Sequence, residues 1–184
     1  MFQLNEVNNA YSELLSKRAV TENSLIQSHL KWQKAANDIA LSEGLLKISV
    51  NPKLKDMLGY PQNMTFFDWV IVSAYYSIFH AAQALLGMKH VRIVDRMHYA
   101  TLTAFAKHFV ISGELEEELF FIYEDSEAKA KELLDIFEEE KVKRGIFQYH
   151  RLSRNNFEPA EQSVKNAKIF LEAVQEILKK NKII

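Results

Sequence analysis

The sequence predicts an all-α fold, an antiparallel bundle of five to six helices in a single domain. Five glycines and three prolines in 184 residues leave too few break points for a many-turned β fold. Apolar residues recur three and four positions apart through most of the chain, the period of a half-buried helix. Hydrophobic residues make up 48% of the total, enough to fill one core at a length that suits one domain.

The first helix is expected over about Leu4 to Lys17, with Leu4, Val7, Tyr11, Leu14 and Leu15 on one stripe. A second is expected from about Thr21 to Ser49 and ends at Asn51-Pro52, because proline disfavours helical geometry in the residue before it. Lys53 to Asn63 reads as a connector with room for a short turn. Thr65 with Asp68 three residues on resembles a capping box opening a core helix, Phe66–Leu86, which Gly87 would close. After a connector over Lys89–Asp95, the stripe resumes from Arg96 to Ile111 and breaks at Ser112-Gly113. Glu114 to about Arg151 reads as one long helix or two. Asn155-Asn156 interrupts the pattern, and Pro159 fits the first turn of a final helix carrying Val164, Ala167, Phe170, Leu171 and Val174.

Charge is local rather than global. The net charge is −1, yet Ile111–Glu140 holds twelve acids against two lysines, and Lys141–Ile184 holds ten bases against four acids. Lys141 to Phe157 has five bases and no acid. With no cysteine there is no disulfide and no thiolate nucleophile or metal ligand, which fits a reducing, cytoplasmic compartment. The opening residues lack the basic-then-apolar pattern of a signal peptide. Trp69 to Leu86 carries no charged side chain, but Ser73, Tyr75, Tyr76, Ser77, His80 and Gln83 suit a buried core helix better than a membrane span. No membrane contact, cofactor or metal is expected.

The run Ser73-Ala74-Tyr75-Tyr76-Ser77-Ile78-Phe79-His80-Ala81-Ala82-Gln83-Ala84-Leu85-Leu86 resembles the second core helix of the HEPN family. His98 followed by Phe105, Phe109-Val110 and Gly113 is similar to that family's next stretch. Arg144 with Tyr149 resembles its Arg…Tyr element, with Gln148 where one branch prefers Asp. The resemblance spans roughly Leu30 to Leu178. It leaves residues 1–28 as an N-terminal helical extension and Glu114–Glu140 as an acidic addition to a four-helix up-and-down core. It implies a bundle that is usually a homodimer with a cleft between copies. Members include metal-independent RNases of toxin and defence systems, and non-catalytic companions of small nucleotidyltransferases.

The RNases of that family carry an Arg, then a polar residue, then a His at a set distance. Arg144 and His150 stand at a permitted spacing, with Gly145 in place of the polar residue. In the catalytic reading His150 moves the proton of a ribose 2′-hydroxyl, and Arg144 holds the phosphate as charge develops. Lys141, Lys143, Gln148, Tyr149, Arg151 and Arg154 would line the RNA path. On an ideal helix Arg144 and His150 lie about 120° apart, so sharing a site needs a bend at Gly145 or two subunits. The plainer readings stand beside these: Tyr75, Tyr76, Phe79 and His80 as core packing, His98 as structural, and the basic run as a solvated helix end. Three functions follow as expectations: a dimeric module binding nucleotide, RNA or a nucleotidyltransferase; an endoribonuclease toxin using Arg144 and His150; and a non-catalytic interaction scaffold.

Overall fold

The computed structural model describes residues 4–23, 27–115, 119–126, 128 and 157–184. Within them the chain is an all-α helical bundle. A 3₁₀ turn, Leu4–Glu6, leads into α1 (Val7–Ser16); then come α2 (Ser28–Val50), α3 (Pro52–Leu58), α4 (Phe67–Met88) and α5 (Met97–Phe105). The last of these runs on into a π-helical turn over Ala106–Val110. Residues 119–126 form α6, and α7 spans Phe157–Lys180. Two-residue strands β1 (Val20–Thr21) and β2 (Arg92–Ile93) pair antiparallel, Val20 with Ile93 and Thr21 with Arg92.

Helix α4 is the axis. Seventeen of its 22 residues are buried, on every side of the helix, as a central helix requires. Its length and composition would let it cross a membrane, but 89% of its most apolar window is packed inside the fold. Against it lies α2, whose buried residues are Ser28, Ala35, Ser42 and Ser49, one every seven positions and all small. Small side chains at a heptad spacing let two helix backbones approach closely. The serines then supply what a close backbone lacks. Ser42 Oγ donates to the Val70 carbonyl at 2.8 Å, and Ser49 Oγ accepts from the Phe66 N–H at 2.8 Å.

Further links between these helices are Asp38 with His80 and Lys31 with Gln83. Positions fall along α4 as they rise along α2, which is the register of an antiparallel pair. Helix α7 presents Ala160, Val164, Ala167, Phe170, Leu171, Val174 and Leu178 as one apolar stripe. It starts beside the start of α4, where the Phe67 and Phe157 rings sit 5.7 Å apart. Farther along, Phe170 lies 5.4 Å from Phe105 and 6.0 Å from Tyr123. Helix α1 inserts Val7, Tyr11 and Leu14 into the same core.

Several boundaries differ from the sequence reading. Helix α2 begins at Ser28 rather than Thr21, because Arg18 and Asn23 adopt positive φ and Thr21 is drawn into the strand pair. The connector after Pro52 is itself a two-turn helix. The Asn51 side chain accepts from the N–H groups of Lys53 and Leu54, and Gly59 at φ +71° closes it. Phe66, not Thr65, is the N-cap of α4, and Ser49 from α2 takes the place of a local cap. Gly87 is buried within α4 rather than ending it; the left-handed residue is His90. Met97–Phe105 and the π turn fill most of the Arg96–Ile111 stripe, and Gly113 at φ +74° follows it.

If the α2–α4 contact depends on small side chains, Ser42→Val should overpack it and also strip a hydrogen bond from the Val70 carbonyl. A loss of about 1–3 kcal/mol in denaturant unfolding is expected, against about 1 kcal/mol for Ser42→Ala. Equal stability of Ser42→Val and the parent protein would contradict this packing.

Candidate functional site

The close approach of α2 and α4 places a row of polar side chains along one edge of the contact. From α2 come Lys31, Lys34 and Asp38, which share a face at spacings of three and four. From α4 come Tyr76, His80 and Gln83, spaced likewise. His80 Nδ1 lies 2.7 Å from Asp38 Oδ2, and Lys31 Nζ donates to Gln83 Oε1 at 2.7 Å.

Burial pushes the His80 pKa down, and the nearby charges of Lys31 and Lys34 add to that, while Asp38 opposes it. The imidazole is therefore neutral at pH 7. It donates its Nδ1–H to Asp38, which leaves Nε2 as the basic nitrogen. Lys31 is also lowered, first by burial and then by Lys34. This edge thus combines an oriented neutral imidazole with two neighbouring cations.

Behind His80 lies an aromatic cluster. The Phe79 ring stands 4.9 Å from His98 and 5.3 Å from His80, and Tyr76 is 6.1 Å from His80. The Tyr75 hydroxyl is hydrogen-bonded to His98 Nδ1. Burial lowers the His98 pKa. Tyr75, Phe79 and His98 therefore act as packing with satisfied polar ends. A separate relay anchors α1: His108 Nε2 lies 2.9 Å from the Tyr11 hydroxyl, which donates to Glu22 at 2.9 Å. Burial again lowers His108, and burial with Glu22 raises Tyr11.

Toward the first turn of α2 the polar edge opens into a cleft of about 840 Å³. Lys31, Lys34 and Arg92 line it, with Gln27 and Gln83; its apolar lining includes Leu86 and Val91 on the inside and Leu30 and Met97 at the rim. Among the described residues, no carboxylate lines it. Nor do any three His, Asp or Glu side chains among them converge to hold a metal ion.

The residues singled out from sequence for RNA and catalysis, Lys141, Lys143, Arg144, Gln148, Tyr149, His150, Arg151 and Arg154, lie outside the described residues. The resemblance did point to His80, which proves to be held by Asp38. Lys31, Lys34, Asp38 and Arg92 were missed. On sequence alone three of them are charges on a long helix, with the look of a solvated face. Only their three-and-four spacing beside the Ser28–Ala35–Ser42 stripe marks them as flanking a helix contact.

All three shifted histidines prefer the neutral form in the fold. The unfolded chain therefore takes up protons first, and stability should be full above about pH 6.5 and fall as the pH drops below it. A melting temperature that declines from about pH 7.5 to about pH 5.5, less steeply in His98→Asn, is the expected result. A flat profile would mean that the imidazoles titrate alike in both states.

No family model matches the chain, and no solved structure matches it. Over 58 residues it is 38% identical to a curated protein of Methanocaldococcus jannaschii whose name marks it as a candidate toxin. That match covers 32% of this chain and 38% of the relative. Part of this all-α chain is thus similar to a toxin-like protein.

Proposed function

We propose that this chain is a toxin-like helical module of the HEPN kind, which works as a homodimer and binds RNA. The observation that carries the reading is the partial likeness to a candidate toxin, met on an all-α bundle. The aromatic run of α4 and the basic run Lys141–Arg154 support it. Lys141, Lys143, Gln148, Tyr149, Arg151 and Arg154 are the residues assigned to the phosphate backbone, and a small nucleotidyltransferase is the assigned protein partner. With Gly145 after Arg144, the module reads as a binder first.

The same likeness favours one second reading, a metal-independent endoribonuclease in which Arg144 steadies the scissile phosphate and His150 moves the 2′-hydroxyl proton. Such chemistry is confined to RNA, because DNA lacks that hydroxyl.

The purified chain should run at twice its monomer mass and retain a short RNA at about 50 mM salt. That affinity should fall at least about tenfold by about 200 mM salt, since several phosphate contacts are released together. Incubated with EDTA, the RNA should stay intact. Cleavage that disappears in both Arg144→Ala and His150→Ala would replace the binding module with the nuclease. No retention at low salt would end both readings.

A further inference from the structure

We propose that His80 is a phosphoryl-acceptor site, whose Nε2 takes a phosphoryl group from a small anionic donor of the acyl phosphate class. The site lies on the edge where α2 meets α4. It uses none of residues 141–154 and does not depend on the RNA reading above.

A nucleophilic imidazole must be neutral, must present an unprotonated nitrogen, and must tolerate the positive charge that builds on the ring. Asp38 serves each of these needs at His80. His80 Nδ1 lies 2.7 Å from Asp38 Oδ2, so the proton stays on that nitrogen and the lone pair falls to Nε2. Among the described residues Nε2 has no hydrogen-bond partner, and it is not one of their sealed polar atoms. The His80 side chain keeps 19% of its surface open, and that of Asp38 keeps 27%. The other half-buried histidines are bound to phenols instead: His98 Nδ1 to the Tyr75 hydroxyl, and His108 Nε2 to that of Tyr11.

Phosphoryl donors are anions, and this edge is prepared for one. Lys34 and Lys31 stand one and two turns before Asp38 on the same face of α2, and both charges are felt at the His80 ring. Lys31 Nζ is held by Gln83, three residues beyond His80 on α4. Lys34 is exposed and makes no ion pair among the described residues. Two ammonium groups draw the donor in and share the charge spread over the phosphoryl oxygens in the transition state. As Nε2 bonds to phosphorus, the P–O bond to the acyl group breaks, and a carboxylate leaves with the electron pair. The Nδ1 proton stays on the ring, where the Asp38 carboxylate balances the new charge. The product sets a dianion beside two lysines and against Asp38, so it bears on the contact that fixes the α2–α4 register.

The test is incubation of the full chain with acetyl phosphate at neutral pH, read by intact mass, phosphorus NMR and peptide mapping. A single phosphoryl group per chain should appear on His80, linked through Nε2, stable to alkali and lost in acid. His29 and His90, both exposed, are internal standards and should be labelled at least about tenfold more slowly. His80→Gln should abolish the label. Asp38→Asn should slow it at least about tenfold and move the ring proton off Nδ1, as read by nitrogen NMR. A merely structural Asp38 would lower the melting temperature and leave the tautomer alone. Lys34→Glu should slow labelling about threefold or more at low salt, while Lys53→Glu, on α3 beyond the far end of α2, should not. The proposal fails if His80 carries no phosphoryl group, if His29 or His90 is labelled as fast, or if Asp38→Asn is labelled at the parent rate.

Discussion

The contact between α2 and α4 governs the molecule. Four small residues at a seven-residue spacing, Ser28, Ala35, Ser42 and Ser49, bring two long helices close enough for serine hydroxyls to reach the backbone of the partner. A stripe of leucines would bury more area, at about 25 cal/mol per Å². It would also hold the axes farther apart and leave the Phe66 N–H and the Val70 carbonyl without their inter-helix partners. Close approach costs some hydrophobic area here and gains a fixed register. The register decides which side chains meet at the edge: Asp38 with His80, and Lys31 with Gln83.

That edge runs against the ordinary logic of a core. Burial disfavours the charged form of Lys31, and Lys34 disfavours it again, while Asp38 on the same helix face is occupied by a histidine. A chain selected only for stability would place an acid opposite these lysines or remove them from the contact. Violations of local consistency concentrate where a protein binds or reacts. The aromatic cluster around His98 is the contrasting case, with its polar ends satisfied and its rings at ordinary packing distances.

The bundle was legible because its cues are strong and local: few breakers, and long stripes with a period near 3.6. Asn51-Pro52, Gly113 and Pro159 punctuate the chain close to where the sequence suggested. Two of the misplaced boundaries share one cause, a partner brought in from elsewhere in the chain. Ser49 comes from another helix to serve Phe66, so Thr65 and Asp68 resemble a cap that the helix does not use in that form. Thr21 leaves its helical pattern for a strand partner some seventy residues away in sequence. The cleft was illegible for the same reason. Lys31 and Arg92 meet only after two helices and a ladder have been placed, and neither residue type is unusual on a surface.

The N-terminal segment, which looks like an extension in sequence, supports one wall of that cleft from behind. Strand β2 carries Arg92, and its partner is β1, from the residues just after α1. The Ala19 carbonyl accepts from the N–H groups of Val94 at 2.8 Å and Asp95 at 3.2 Å, continuing the attachment past the strand. Helix α1 is in turn held by Val7, Tyr11 and Leu14 in the core and by the His108–Tyr11–Glu22 relay. A two-residue ladder has almost no stability of its own. The position of Arg92 therefore rests on the burial of α1, a helix remote in sequence from it. Loss of the first residues would remove the support of one of the three cations while leaving the other two, on α2, in place.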